Sequence, residues 1–438
     1  MQTPTVIGEA PPDARLMKNP MPNRPPQRAP FHVMAKPAGP MCNLRCEYCF
    51  YLEKQSLFAQ RDGWQMSDEV LEAYIRQTIA SQNTPEVSFA WQGGEPMLAG
   101  IGFFRKVLAL QKLHGKGRRI HNSLQTNGTL LDDAWCEFLK RHEFLVGISI
   151  DGPAALHDRF RRDRHEAPTH ERVMRGLECL IRHGVEFNTL TVVNRHNSRE
   201  PLRVYRFLKE IGSRYMQFIP LVERAGPGPS CGFANRLAPP PGHGGDAADK
   251  ATVTPWSVRA VDYGNFLCAI FDEWVRGDVG RYYVQIFDVM LGLWCGAASS
   301  LCVFSQRCGN AVALEHNGDV FSCDHFVYPK YKLGNLMETP LRELVDSIGQ
   351  RRFGESKLAS LPRYCRECEF LTVCNGECPK HRFLTSPDGE PGLNYLCAGY
   401  KRFLSHIDPH MRIMADLLEK NRPPSDIMSM LVARAVQI

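Results

Sequence analysis

The stretch from residue 31 to 222 alternates strand-like and helix-like runs, and this repetition constrains the fold more than any other feature of the chain. β-Branched and aromatic residues cluster at 31–35, 86–91, 120–125, 144–150, 186–193 and 215–220, which predicts six strands. Between them, 68–81, 101–113, 132–141, 170–183 and 199–211 carry apolar residues at helical spacing. Parallel strands require crossovers of this kind, so the repetition predicts an α/β parallel sheet or partial barrel, with reactive residues in the loops that follow the strands.

The remaining segments differ in composition. Residues 1–30 are rich in proline with several arginines and lack an apolar h-region, so they read as a disordered N-terminal arm and not as a secretory signal. Residues 224–256 form a Gly/Pro-rich linker, 257–301 a helical connection, and 302–403 a cysteine-dense part whose one hairpin-like stretch, 311–322, turns at Asn317-Gly318. The expected C-terminal helical tail is 404–438. Hydrophobic residues make up 43% and charged residues 23% of the 438, and no apolar run approaches the roughly 20 residues of a membrane span. These features exclude a membrane protein and predict a cytoplasmic one.

Sixteen cysteines without an export signal are not a disulfide scaffold, because the cytosol keeps thiols reduced; metal binding is the expectation. Cys42, Cys46 and Cys49 form a C-x3-C-x2-C array after the first predicted strand. Three thiolates can hold three irons of a cubane and leave the fourth iron open to a ligand, while a zinc site with a remote fourth ligand is the plainer alternative. Gln92-Gly93-Gly94-Glu95-Pro96 closes the second strand; its glycines let backbone approach a ligand and its carboxylate can partner an ammonium group. Gln125-Thr126-Asn127-Gly128 closes the third strand, and Ser149 and Asp151 close the fourth.

Toward the C-terminus, Cys302, Cys308 and Cys323 precede Cys365, Cys368, Cys374, Cys378 and Cys397. Eight thiols suit two four-cysteine sites, and spacing alone fits zinc as well as iron-sulfur. The open-iron loop upstream favours iron-sulfur for these thiols as well. Cys136, Cys179, Cys231, Cys268 and Cys295 fall outside these patterns and read as incidental thiols.

The cysteine loop, with aromatic Tyr48 before its last cysteine, resembles that of the radical S-adenosylmethionine (SAM) superfamily, and Gly93-Gly94-Glu95-Pro96 resembles its SAM amino-group motif. The later cysteines resemble the SPASM domain, and most closely that of the anaerobic sulfatase-maturating enzymes, over about residues 31–403. This resemblance implies a partial (β/α)6 TIM-like barrel over 31–223 followed by a SPASM domain. It implies SAM and three 4Fe-4S clusters as cofactors, one held by Cys42, Cys46 and Cys49. By the same resemblance Cys302, Cys308, Cys323 and Cys378 bind one auxiliary cluster and Cys365, Cys368, Cys374 and Cys397 the other, in interleaved order. The formal charge of +6 counts thiols as neutral; three ligated clusters bring it to about +1, which removes the main argument for a nucleic-acid partner.

The family resemblance further makes Asp324 the general base, and a carboxylate beside an anionic cluster in a partly desolvated mouth is expected to have a raised pKa. Tyr51 and Gln92 match positions near substrate and SAM, Ser149 matches a SAM contact, and Arg172 or Arg164 matches the arginine for the SAM carboxylate. The implied reaction oxidises a cysteine or serine of an unfolded sulfatase, within a segment like Cys/Ser-x-Pro/Ala-x-Arg, to formylglycine. Flavodoxin or ferredoxin is the implied electron donor. A crosslink-forming SPASM peptide maturase is the alternative within the superfamily, and a zinc-binding interaction protein the alternative outside it.

Overall fold

In a computed structural model that describes residues 30–58, 64–226, 237–241 and 252–436, the predicted alternation folds as one sheet. The arm expected at 1–30, apart from Pro30, most of the expected linker and Cys231 lie outside the described residues. Strands β1 (His32–Ala35), β2 (Glu86–Trp91), β3 (Arg119–Thr126), β4 (Leu145–Ser149), β5 (Phe187–Val193) and β6 (Tyr215–Pro220) pair in chain order, every pair parallel. Two of these ranges, β2 and β6, match the sequence expectation residue for residue.

The sheet has four more strands than the predicted set of six, for ten in all. β7 (Tyr283–Val284) extends it parallel beyond β6. At the other edge β8 (Ala311–Leu314) lies parallel to β1, with His32 opposite Ala311 and Ala35 opposite Leu314. β8 turns through Gly318, whose φ of +88 suits glycine, into antiparallel β9 (Asp319–Phe321), and β10 (Lys332–Asn335) closes the edge. A separate hairpin pairs β11 (Arg382–Thr385) with β12 (Pro391–Asn394).

The crossover helices, among them Asp68–Ser81, Gly100–His114 and His170–Arg182, bury their apolar stripes on the sheet. Ser67 caps the first, accepting from Val70 N at 3.3 Å, and Asp132 caps Asp133–Arg141, accepting from Trp135 N at 2.9 Å. Such caps stabilise a helix by about 1 kcal/mol. Trp91 sits at the centre of an aromatic cluster with Tyr74, Phe103 and Phe104, ring centroids 5.6 to 6.0 Å apart. Each such ring contributes roughly 1.5–3 kcal/mol by burial, so the helix–sheet contact, not helix propensity, holds this layer.

The helices Ala260–Gly277 and Cys397–Glu419 cross closely at two glycines. A Cβ on Gly399 would lie 2.0 Å from the carbonyl oxygen of Ala260, so only glycine permits the approach. Residues 404–419 continue a helix begun at Cys397, and a further helix spans Asp426–Val436. No helix among the described residues is long and apolar enough to cross a membrane.

Candidate active site

The motifs of residues 42–49, 92–96, 125–128 and 149–151 all fall at the C-terminal ends of the parallel strands. The loop after β1 carries Cys42, Cys46 and Cys49, with Cys46 buried and the other two half-buried. It pairs with residues 160–163 through Arg45 N to Arg162 O at 2.8 Å and Glu47 N to Phe160 O at 3.0 Å. Tyr48 donates its hydroxyl to Asp151 Oδ2 at 2.5 Å, and the Arg161 guanidinium lies 3.1 Å from the same oxygen. Burial drives the Cys46 thiol up to about 12, against the opposing charge of Arg161, and burial drives Cys42 up as well. Desolvated thiols of this kind ionise only when a metal cation takes up the charge, so the donor set fits a metal cluster.

The glycine turn after β2 is packed directly on this loop. Gly94 N donates to Gly39 O at 2.9 Å and Glu95 N to Met41 O at 2.7 Å. A Cβ on Gly94 would lie 1.9 Å from the Met41 carbonyl oxygen, and Gly93 has φ +134, so both positions require glycine. The fully buried Glu95 carboxylate accepts from Met97 N at 3.1 Å, Thr126 Oγ1 at 2.9 Å and Asn127 N at 2.8 Å. It therefore braces Asn127, whose amide reaches Cys42 Sγ at 3.7 Å and Asn43 Oδ1 at 2.8 Å.

Ser149, at the end of β4, accepts from Gln125 Nε2 at 3.1 Å. Of the two candidate arginines, Arg164 touches the cysteine loop, its Nε donating to Cys42 O at 2.9 Å. Arg172 instead pairs with Asp163 at 2.9 Å and reaches the loop through it. The Gln92 amide lies against the sulfur of Met34.

Asp324 faces this rim from the far side, where burial and neighbouring cations act on its carboxyl in opposite directions. Burial pushes the carboxyl up, but Lys36, His325 and Lys380 outweigh it and hold it below the ordinary value. Lys36 Nζ lies 2.5 Å from Asp324 Oδ1 and 4.8 Å from the centre of the Tyr51 ring. The Tyr51 hydroxyl donates to Glu315, at the end of β8. Beside them, Phe50 packs on His325 at 5.8 Å and buried Lys380 pairs with Glu223 at 2.5 Å. Sequence reading missed Lys36, Glu315, Glu223 and Arg161; their only advance signal is position, since the first three follow strand ends.

The eight later cysteines separate into two sets of four. The Cys378 thiol, raised by burial and by Glu377, also feels Cys323, Cys308 and Cys302. A small cavity is lined by Cys365, Cys368, Cys374 and Cys397 together with Tyr364 and Tyr400. Buried Lys357 sits beside the first set and donates to the carbonyls of Cys302 at 2.7 Å and Val303 at 2.8 Å. His325 Nδ1 lies 3.5 Å from Cys378 Sγ, which places Asp324 next to that set.

The radical SAM superfamily matches residues 37–208, and an iron-sulfur cluster-binding SPASM domain matches residues 302–369. The chain is 46% identical over 94% of its length, and 98% of the relative's, to a serine-type anaerobic sulfatase-maturating enzyme of Bacteroides thetaiotaomicron. It is 33% identical over 87% of its length, and 97% of the relative's, to a cysteine-type anaerobic sulfatase-maturating enzyme of Clostridium perfringens. The solved structure of native anSMEcpe with bound AdoMet and Cp18Cys peptide is similar at a TM-score of 0.75 and 33% identity, covering 89% of this chain and all of that one.

Proposed function

The chain belongs to the anaerobic sulfatase-maturating enzymes, and from that premise we propose that it oxidises a serine or cysteine of a sulfatase polypeptide to formylglycine with the residues described above. It is a radical SAM enzyme with SAM and three 4Fe-4S clusters as its cofactors. Cys42, Cys46 and Cys49 hold the SAM-binding cluster; Cys302, Cys308, Cys323 and Cys378 hold one auxiliary cluster, and Cys365, Cys368, Cys374 and Cys397 the other. When bound, these groups supply a 5'-deoxyadenosyl radical that takes a hydrogen atom from the substrate Cβ, and a sink for the second electron.

The protein's part is positioning and proton transfer. Tyr48 and the Gly93-Gly94-Glu95 turn shape the SAM end, with Ser149 and Arg172 or Arg164 for its polar groups. Tyr51 and Gln92 face the substrate side. Asp324 takes the proton from the substrate hydroxyl or thiol, which yields the aldehyde directly from serine. From cysteine it yields a thioaldehyde that water converts to the aldehyde with release of hydrogen sulfide. The observation that carries this reading is the Lys36–Asp324 pair, which keeps a carboxylate ionised between the cysteine loop and the Cys378 set. We also propose a cytoplasmic location and a flavodoxin- or ferredoxin-like reductant.

The test is an anaerobic incubation of reconstituted protein with SAM, dithionite and a sulfatase-derived peptide, read by mass spectrometry. A fall of about 2 Da from a serine peptide, or about 18 Da from a cysteine peptide, with the product captured as a hydrazone, establishes the aldehyde and fixes the preference. A 2 Da fall without hydrazone formation, as two hydrogens lost to a crosslink give, overturns the assignment in favour of a crosslinking maturase.

A further inference from the structure

Two buried cations among the later cysteines have no carboxylate partner. Lys357 is 0% and Arg382 3% exposed, and neither forms an ion pair among the described residues, whereas buried Lys36 and Lys380 meet Asp324 and Glu223. A buried charge is unfavourable unless an opposite charge offsets it.

The hydrogen bonds of both side chains go to neutral backbone carbonyls. Lys357 Nζ donates to Cys302 O at 2.7 Å, Val303 O at 2.8 Å and Ser305 O. Arg382 donates through Nε to Gly376 O at 2.8 Å, through Nη2 to Asn375 O at 2.7 Å and Glu377 O at 3.0 Å, and through Nη1 to Lys357 O. The Glu377 carboxylate turns elsewhere, to His381 Nδ1 at 2.9 Å and Asn394 Nδ2 at 2.6 Å.

The loop that Arg382 grips, residues 375–377, joins Cys374 of one set to Cys378 of the other. A Cβ on Gly376, which has φ +67, would lie 2.7 Å from Arg382 Nη2, so the guanidinium is pressed against this loop. It stands within electrostatic reach of Cys378 and Cys308 on one side and Cys365 on the other. Lys357 stands within reach of Cys308, Cys378 and Cys302, all of one set.

We propose that Lys357 and Arg382 are resident counter-charges of the two auxiliary clusters, Lys357 serving the Cys302, Cys308, Cys323 and Cys378 cluster and Arg382 shared by both, and that they raise the potential at which each cluster takes up an electron. The proposal rests on the cluster assignment above. A fixed positive charge favours the form that carries one more negative charge, so local charge sets the potential. Each reduction adds one electron to a cluster and moves no proton and no bond; in turnover that electron is the second one taken from the substrate.

The test is an anaerobic redox titration of the reconstituted full chain, followed by electron paramagnetic resonance. The parent should hold about twelve irons; a parent without auxiliary iron would sink the cluster assignment itself and the proposal with it. Arg382→Gln should lower both auxiliary midpoints and Lys357→Met one of them. The SAM-binding cluster, identified by the change SAM makes to its spectrum, should not move. The charge-keeping variants Arg382→Lys and Lys357→Arg should stay nearer the parent midpoints. Where a neutral variant loses a cluster, iron content is the readout, and its charge-keeping counterpart should retain that iron. Unmoved auxiliary midpoints, shifts in the wrong number of clusters, or charge-keeping variants that shift or lose iron as far as the neutral ones would each overturn the proposal.

Discussion

Lys36 and Asp324 meet at 2.5 Å although 288 positions separate them in the chain. Lys36 follows β1 and Asp324 follows β9, so the contact exists only because β8 lies against β1 and carries the hairpin with it.

Removing the ammonium leaves the carboxylate without its nearest counter-charge. Lys36→Met should cost about 3–5 kcal/mol of stability, the usual penalty for breaking a buried pair. It should also lower kcat for aldehyde formation by more than tenfold, with a small change in KM for SAM. An unchanged kcat in a folded variant would remove Lys36 from the machinery.

Gly94→Ala should push its methyl into the Met41 carbonyl and displace the cysteine loop. The expected outcome is loss of about four irons per chain, with the auxiliary clusters retained. Iron analysis and the spectrum of the remaining clusters check this.

The interleaved assignment separates neighbours in sequence. Replacing Cys374 and Cys378 together should disturb both auxiliary clusters, whereas replacing Cys374 and Cys397 should disturb one. Electron paramagnetic resonance of the reduced variants distinguishes the two patterns.

Burial raises the Glu95 carboxyl to about 7, with hydrogen bonds from Asn127, Met97 and Thr126 acting against the rise. Because the folded value lies above the unfolded one, the group's favourable contribution is full below about pH 4.5 and is lost as pH rises through 7. The stability of the parent relative to Glu95→Gln should therefore decline across that window, by roughly 3 kcal/mol in total. A flat difference would show that Glu95 is ionised throughout.

Tyr51→Phe removes the donor from Glu315, whose carboxylate is fully buried. A loss of about 1–3 kcal/mol is expected, read as a lowered thermal midpoint.

Strand order was legible because each βα unit of the barrel repeats a local pattern, and β2 even ends where its periodicity does, at Trp91. β7 was not legible: two residues, Tyr283 and Val284, carry no period. The hairpin at 311–322 was readable from Asn317-Gly318, but its parallel seat on β1 was not, since nothing in residues 311–314 names residues 32–35 as partners. The cysteine loop announced itself by spacing. The charge balance at Asp324 could not, because its sign is decided by Lys36 and Lys380, which only tertiary folding delivers. Arg161 was passed over because its partner, Asp151, stands earlier in the same connection after β4, and no spacing marks the two as a pair.

The seam between β1 and β8 runs from Ala311 to Leu314, and the glycine crossing at Gly264 and Gly399 clamps the opposite side. The cysteine loop after β1 and the later cysteines are therefore joined, among the described residues, through one continuous sheet. A substitution that parts β8 from β1 should shift Asp324 and the Cys378 set together relative to that loop.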